Sequence, residues 1–420
     1  MTVREELYNG INIQKPWPPR MKEKEQALKK NIDRIPETIC YLSNPPKVIP
    51  IHVGRQLFVD DFLIDTSTLQ RKYYYPEPYV GNPILKPQTK IEKNEGCCPV
   101  AATFTDGVFY DSKDGLYKMW YQAGWFDGTA YAESLDGQNW YRPDLDVVPG
   151  TNMVLPFRKG YKRDGATVWI DHETKDPKSR YKLFVFFRKN EVEEIGELYI
   201  SSDGIHWNGP TITGPCGDAS SFFYNPFRKK WVFSIRKVDV EGDFHYRYRQ
   251  YYETEDFLKG ADWGRNDPVF WYGADDLDKK HAIYDCTTQL YGVDCVAYES
   301  ILLGAFEIFK GPHNRIAEEL GVPKQCDITL GYSRDGFHFC RPDRTAFLKG
   351  SEKKGTWDYG YIHASGGLCI VEKDQLRFYY SAWSGESPKY GKHMYAGGAT
   401  GYATLRRDGF ASVAAEKEGF

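Results

Sequence analysis

The stretch GVFYDSKDGLYKMWYQAG (107–124) decides the fold, because two apolar, aromatic-rich runs flank a polar turn and this pattern returns four more times. Such a pair of runs predicts a β-hairpin, since aromatic and β-branched residues favour strands while Asp, Lys and Gly favour turns. The other copies are TVWIDHETKDPKSRYKLFVFF (167–187), SFFYNPFRKKWVFSIR (221–236), VDCVAYESILLGAFEIF (293–309) and GGLCIVEKDQLRFYYSAWSG (366–385). Five equivalent units indicate a repeat architecture.

A second motif, Ser-x-Asp-Gly-x-x-aromatic, follows the units. Clear copies lie at 131–145, 199–210 and 331–343, and degenerate copies lie at 251–263 and 401–413. Asp-Gly supplies a turn residue with positive φ, and the aromatic residue can pack between neighbouring sheets. Hairpins that each gain further strands around an axis predict an all-β, five-bladed β-propeller.

The domain prediction is a propeller over 51–420 preceded by a short, partly helical and otherwise irregular N-terminal extension over 1–50. Two charged, periodic segments, 4–11 and 20–35, predict short surface helices in this extension. The segment RQLFVDDFLID (55–65) alternates like a strand, which predicts that it closes the ring or lines the site.

Composition limits the possible partners. The chain has 55 basic and 58 acidic residues, so no strong field favours nucleic acid or a membrane surface, and the expected ligand is small or neutral. Aromatic residues make up 16% of the chain, and aromatic rings also form stacking platforms for sugars. Nine cysteines without a CxxC pair and an N-terminus without an apolar core predict a cytoplasmic protein with reduced thiols. The oligomeric state is left open.

Several segments resemble the five-bladed propellers of glycoside hydrolase families 32, 43 and 68 and their relatives in families 117 and 130. These segments are GNPILKP (81–87), YKMWYQAG (117–124) and YAESLDGQNWYRPDL (131–145). In addition, KRDGATVW (162–169) is similar to the Arg-Asp-Pro signature of family 32, with Gly165 in the place of Pro. The Asn-Asp-Pro-Asn-Gly and Glu-Cys motifs of family 32 have no faithful copy here, so the resemblance implies a sugar-cleaving propeller without donating a catalytic pair.

Glycoside hydrolysis usually needs two carboxyl groups, and the resemblance implies that they lie near the start of the innermost strand of successive blades. Asp164 precedes Asp171 by seven residues in unit two, and Asp218 precedes Asn225 by seven in unit three. Asp294 opens unit four at an equivalent place. The alignment predicts that these three aspartates share a polar funnel, whereas each one singly could also cap loose backbone N–H groups.

Other residues complete the predicted site. Whichever of Asp60 and Asp61 points inward is a candidate base. Glu95 and His363 are candidate catalytic residues from the first and fifth blades. Arg163 is expected to hold an aspartate ionised or to grip a substrate hydroxyl. The candidate substrate-binding residues next to strand ends or after unit three are Trp125, Trp169, Trp383, Arg236 and His245.

The sequence therefore favours an exo-acting glycosidase that removes a terminal sugar from an oligosaccharide or glycoside by carboxylate acid/base catalysis. No cofactor and no catalytic metal is expected, although clustered aspartates could bind a structural cation in the funnel. Two alternatives stay open: a phosphorylase or transferase on the same fold, for which Arg163, Arg236 and His245 would supply the basic pair, and a non-catalytic carbohydrate-binding propeller. The assignment of acid and base, and the choice between inversion and retention, also stay open.

Overall fold

In a computed structural model, five antiparallel sheets surround a central axis. The structure describes residues 5–241 and 244–415, apart from the side chains of 240–245. The all-β, five-bladed propeller predicted from the repeats is thereby confirmed. Each sheet is one blade, numbered here in chain order. The blade strands are Ala101–Asp111, Leu116–Ala123, Gly128–Ser134 and Met153–Leu155 (blade 1); Tyr161–Ile170, Tyr181–Lys189, Glu193–Ser201 and Asn208–Ile212 (blade 2); Ser221–Asn225, Lys230–Glu241, Phe244–Thr254 and Val269–Gly273 (blade 3); Gln289–Tyr298, Ile301–Gly311, Gln325–Ser333, Phe339–Cys340 and Leu348–Lys349 (blade 4); and Gly360–Glu372, Gln375–Trp383, Gly398–Arg406 and Glu77–Pro78 (blade 5).

The remaining elements are short. They are the strand pairs Glu5–Glu6 with Asn12–Ile13, Gln70–Tyr73 with Ala411–Ala414, and Glu386–Ser387 with Gly391–Lys392; the α-helices Lys22–Lys30, Cys40–Ser43, Lys90–Lys93 and Asn314–Leu320; and the 3-10 turns Asn94–Gly96, Pro177–Ser179 and Lys259–Ala261. None of the helices in the described residues has the length and apolar character needed to cross a membrane.

The first strand of each blade lies at the axis, where it contacts the first strands of both neighbouring blades. The ring closes when Glu77–Pro78, from before blade 1, pairs as the outermost strand of blade 5. The strand expected at 55–65 is wrong, because this segment consists of bends and turns. The Asp60 carboxylate accepts a hydrogen bond from the Phe62 N–H at 3.2 Å, which gives the backbone a local alternative to a sheet.

Five hydrophobic clusters fill the spaces between adjacent blades. Each cluster combines residues of two neighbouring sheets, as where Trp120 of blade 1 packs with Tyr181 of blade 2. Aromatic side chains occur in all five clusters, and they bury more apolar area per residue than aliphatic side chains do. Part of the high aromatic content of the sequence therefore serves inter-blade packing.

The Ser-x-Asp-Gly turns of blades 1, 2 and 4 attach these blades to the preceding ones. In blade 2, Ser201 Oγ accepts the Gly204 N–H at 2.9 Å, and the carbonyl of Gly204 accepts a hydrogen bond from Trp120 Nε1 in blade 1 at 2.8 Å. Gly204 has φ of +80°, and a Cβ there would lie 2.6 Å from the Trp120 ring. The glycine is thus required by both backbone conformation and close approach.

The N-terminal extension is partly as predicted. The segment 20–35 contains the helix Lys22–Lys30, which covers Tyr248 and Phe270 of blade 3 through Leu28. The helix expected at 4–11 is wrong in the part described, because Asn9-Gly10 forms a hairpin turn between two short strands. Asn-Gly is a strong hairpin signal, and Gly10 supplies the positive φ of +81° that the turn uses.

Candidate functional site

The end of the propeller where the innermost strands begin forms a mouth lined by aromatic side chains. Phe104, Tyr291, Tyr361 and Trp383 from blades 1, 4 and 5 pack together there with small residues of blade 3. Trp125 also reaches the mouth, where its ring stacks on Tyr395 at 4.3 Å between centroids. Trp125 and Trp383 are therefore at the mouth, although Trp383 is completely buried.

Two of the predicted carboxylates meet at this mouth. Asp164 of blade 2 and Asp218, just before the first strand of blade 3, are bridged by Arg188. Arg188 Nε donates to Asp164 at 2.9 Å, and its Nη2 donates to Asp218 at 2.5 Å. Arg236 makes a second ion pair with Asp218. We call Asp164 and Asp218 the mouth pair.

Gly165 explains the departure from the Arg-Asp-Pro pattern. Its φ is +117°, which proline cannot adopt because the ring holds φ near about −65°. A Cβ at this position would also lie 3.3 Å from the backbone nitrogen of Ala219, next to Asp218. The glycine therefore lets blades 2 and 3 approach closely at the level of the mouth pair.

A cleft of about 520 Å³ opens beside the mouth pair, between blades 2 and 3. Its volume falls in the range of small-molecule sites, roughly 300–1,000 Å³. The lining residues include Arg188, Glu194, Gly217 and Arg236. A larger cavity, about 810 Å³, lies between segments of blades 1 and 5, and its lining contains several lysines. Neither Asp164 nor Asp218 lines either cavity, but the smaller cleft is lined by Arg188 and Arg236, the arginines that pair with them.

The third predicted aspartate lies elsewhere. Asp294 sits within the first strand of blade 4, five residues after its start at Gln289, and it is buried near Glu307 and Arg249. The tight turn between Tyr298 and Ile301 shortens unit four, so an alignment on turn residues misplaces Asp294 relative to Asp164 and Asp218. Asp294 therefore does not join the ion pairs of Asp164 and Asp218 in the described residues, and a polar funnel shared by all three aspartates stays a prediction.

Asp294 instead belongs with a buried network that includes His363. Glu307 accepts hydrogen bonds from His363 Nδ1 and the Ala364 N–H, both at 2.9 Å. Burial raises the pKa of Asp294 well above its usual range, and the nearby Glu307 carboxylate adds to this effect. His363 is axial, as expected, but the rings of Phe104 and Tyr361 pack against it and leave it without exposure.

Arg163 does not contact its neighbour Asp164. Successive side chains of a strand point to opposite sides, so Arg163 turns toward blade 1 and pairs with Asp106, which is fully buried. Burial raises the pKa of Asp106 to about 6, and Arg163 opposes that shift. The expectation that Arg163 holds a mouth aspartate or grips substrate is therefore wrong.

The remaining candidates are not at the mouth pair. Asp60 is buried in an ion pair with Arg334 of blade 4, and Asp61 is mostly exposed beside Arg71. Glu95 is exposed on a 3-10 turn, and Trp169 packs toward the opposite end of blade 2 against Phe109. These four placements correct the sequence prediction. Asp60, Asp61 and Glu95 lie in loops or turns, and Trp169 lies at the far end of its strand, so the local sequence pattern did not predict their positions. The His245 side chain lies outside the described residues.

Three cationic residues at the mouth were missed by the sequence analysis: Arg188, Arg247 and Lys324. A signal existed for Arg188, because hairpin pairing puts it opposite Lys162 and therefore at the end of the blade that carries Asp164. Lys324 lies in a loop before its strand, where no local pattern indicates burial. Within the described residues, no three His, Cys, Asp or Glu side chains form a metal-ligand group.

The fold defines a class of protein, the five-bladed β-propellers. No family model matches the chain, and no curated protein matches it. A thermostable family-43 glycoside hydrolase superposes with a TM-score of 0.52 at 14% identity, covering 76% of this chain and 96% of its own.

A second structure, described as a glycoside hydrolase, superposes with a TM-score of 0.50 at 14% identity. It covers 79% of this chain and 92% of its own. At such low identity the likeness shows a shared fold. This agrees with the propeller that the resemblance implied, and the activity has to be argued from the mouth itself.

Proposed function

We propose that the chain is a glycoside hydrolase that removes a terminal sugar by carboxylate acid/base catalysis at the mouth pair. The observation that carries the proposal is the meeting of Asp164 and Asp218 at one guanidinium beside a cleft of about 520 Å³. Glycoside hydrolysis usually uses two carboxyl groups that flank the scissile bond, and the mouth pair supplies two carboxyl groups from neighbouring blades. The shared fold with solved glycoside hydrolases supports the same conclusion.

Action on a terminal sugar is favoured by the closed floor of the mouth. Tyr361 and Trp383 at the mouth, together with the axial His363, are essentially unexposed and close the axis. An oligosaccharide therefore cannot thread through the axis, and such a closed site suits a sugar that enters by its end. Trp125, partly buried and stacked on Tyr395, is the candidate platform for a sugar ring.

The ion pairs distinguish the two carboxylates. Asp218 contacts two guanidinium groups, those of Arg188 and Arg236, and is proposed as the base or nucleophile. Among the described residues Asp164 forms an ion pair only with Arg188, and substrate that displaces this half-buried guanidinium would leave Asp164 free to carry the proton for the leaving group.

Substitution of each carboxylate tests these roles. On a panel of aryl and alkyl glycosides, Asp164→Asn and Asp218→Asn should each lower kcat by about 10²–10⁴-fold, the usual contribution of a positioned acid or base. Loss of the acid Asp164 should be smallest for glycosides with the best leaving groups, because these need no protonation. Loss of Asp218 should be similar for all leaving groups. The measurement is steady-state kinetics on matched leaving-group series.

Asp61→Asn is the matched control, since Asp61 is 71% exposed and its partner Arg71 is not at the mouth. Normal turnover by both mouth-pair variants would refute the proposed roles. Parallel reactions with inorganic phosphate distinguish hydrolysis from phosphorolysis, since only the latter releases a sugar phosphate. Sugar binding with no turnover by any substrate would instead identify a carbohydrate-binding propeller.

A further inference from the structure

Cationic side chains from two blades converge next to the mouth pair. Arg236 and Arg247 lie on adjacent strands of blade 3, where the pairing of Val238 with Arg247 puts Arg236 and Arg247 on one face. Lys324 comes from the loop that precedes the third strand of blade 4. Both Arg236 and Arg247 lie close enough to Lys324 to oppose its protonation. We call Arg236, Arg247 and Lys324 the basic cluster.

The carboxylates present do not neutralise this cluster. Arg236 shares Asp218 with Arg188, whereas no carboxylate among the described residues pairs with Arg247 or Lys324. Arg247 Nη1 donates to Gln289 Oε1 at 2.6 Å, and Lys324 Nζ donates to the Tyr395 hydroxyl at 2.7 Å. Both are neutral acceptors, so an excess of positive charge remains at the mouth.

Several donors in the cluster are buried and unused. The Arg236 side chain is only 10% exposed, and within the described residues its Nε has no hydrogen-bond partner. Arg247 Nε and the neighbouring Gln289 Nε2 are also buried without a hydrogen-bond partner among the described residues. Buried donors without partners are uncommon because each carries a desolvation cost of about 1–3 kcal/mol. Three such donors close together are available to an acceptor from a ligand.

Aromatic rings hold the cluster in place without neutralising it. The Lys324 ammonium lies 4.7 Å from the Tyr395 ring centroid and 5.0 Å from that of Tyr361. The Arg247 guanidinium lies 5.2 Å from the centroid of Phe309. Ring faces stabilise a cation while leaving its N–H groups free for an anion. Tyr395 also stacks on Trp125, so the charge and the candidate sugar platform adjoin.

We propose that the basic cluster binds an oxyanion carried by the sugar, a uronic acid carboxylate, beside the mouth pair. The proposal rests on the proposed function, because it names the substrate class of the same site. Asp164, Asp218 and Glu194, which pairs with Arg188 at 4.0 Å, supply three negative charges against the four cations Arg188, Arg236, Arg247 and Lys324, so one positive charge remains. A single negative charge matches this surplus, whereas the dianionic form of free phosphate exceeds it.

Calorimetric binding on the full-length protein tests the proposal without relying on turnover. The methyl glycosides of galacturonic and glucuronic acid are compared with those of galactose and glucose, and inorganic phosphate and sulfate are titrated separately. At least one acidic glycoside should bind at least tenfold more tightly than its neutral counterpart. Arg247→Gln and Lys324→Met should each abolish that preference, and Arg247→Lys should restore part of it.

Lys259→Gln is the matched control, because it removes one positive charge from an exposed turn of blade 3 and should preserve the preference. Thermal unfolding checks that each variant is folded. Equal affinity for acidic and neutral glycosides would overturn the proposal, as would tight binding of phosphate with no preference for acidic sugars. Absence of hydrolysis contradicts only the proposed function, since binding is measured independently.

Discussion

Lys324 shows at the scale of one residue how the mouth departs from ordinary packing. The residue is only 2% exposed to solvent. Burial lowers its pKa to about 7, and the charge on Arg247 adds to this shift. Lysine is rarely buried without a carboxylate partner, because desolvation of the ammonium costs several kcal/mol. The groups that face it are Arg236, Arg247, Cys326, Asp164, Tyr291, Tyr361 and Tyr395.

The substitution Lys324→Met should therefore stabilise the protein. The folded pKa of about 7 lies below the ordinary value of 10.5, so the unfolded chain binds more protons between these values and wild-type stability rises with pH there. Methionine has no such dependence. We expect the variant to gain about 1–4 kcal/mol in free energy of unfolding near neutral pH or below.

That advantage should shrink toward pH 10. Urea unfolding of both proteins at about pH 6 and about pH 9.5 measures the effect. A variant that is less stable than the wild type at both pH values would show that the lysine stabilises the fold. The result would then contradict the interpretation of Lys324 as a residue retained for binding.

Residue identity alone does not indicate the direction in which a side chain points from its strand. Arg163 and Asp164 are neighbours in sequence, yet they point to opposite sides of their strand and contact different partners. Asp164 could be predicted at the mouth from its distance to the turn at Asp171. The bridge made by Arg188 could not, because it depends on the angle between blades 2 and 3.

At the scale of the element, the Ser-x-Asp-Gly turn does more than reverse the chain. In blade 2 the Ser201 hydroxyl accepts the Gly204 N–H, and the turn carbonyl accepts the indole N–H of Trp120 from blade 1. The same serine-to-glycine bond at 2.9 Å occurs at Ser134 and Ser333. The motif therefore connects local turn chemistry to inter-blade packing.

Ser201→Ala tests this role. The substitution leaves the buried Gly204 N–H without its acceptor, so the free energy of unfolding should fall by about 1–3 kcal/mol. Ser202, the next residue, is exposed, and Ser202→Ala should change stability by no more than about 0.5 kcal/mol. Chemical denaturation of the two variants makes the comparison. Equal stability of both would mean that the serine bond contributes nothing to the turn.

Hairpin spacing located a residue only where the first strands end at equivalent places. The first strands of units two and three end next to Asp171 and at Asn225, so Asp164 and Asp218 lie near the beginning of these strands although the two turns differ in length. Unit four has a two-residue turn, and Gly292 lets the Glu307 side chain pass over its strand toward His363. Asp294 is consequently buried next to Glu307 and Arg249.

At the scale of the whole molecule, a buried ion pair ties the segment 55–65, which precedes blade 1, to the ring. Arg334 donates to the Asp60 carboxylate at 2.8 Å and also to the Leu57 carbonyl at 3.0 Å. Both charged side chains are almost fully buried. The ring thus depends on a segment that precedes its first blade, in addition to the closing strand Glu77–Pro78.

Asp60→Asn should destabilise the protein by about 3–5 kcal/mol, because it leaves the Arg334 charge buried and unpaired. Asp61→Asn changes the adjacent, exposed carboxylate and should cost less than about 1 kcal/mol. Thermal unfolding compares them. A selective loss of turnover in Asp60→Asn at temperatures where it is folded would place Asp60 in the chemistry after all.

The sequence by itself determined the number of blades, because hairpins and Asp-Gly turns are set by residues a few positions apart. It also placed Asp164 and Asp218 at the correct ends of their strands. Only the tertiary structure decided that these two meet at Arg188, that Asp294 and His363 belong to a buried network, and that Arg247 and Lys324 add charge to the mouth. The physical reason is that such convergence depends on blade rotation, side-chain direction and loop packing, none of which leaves a local period in the sequence.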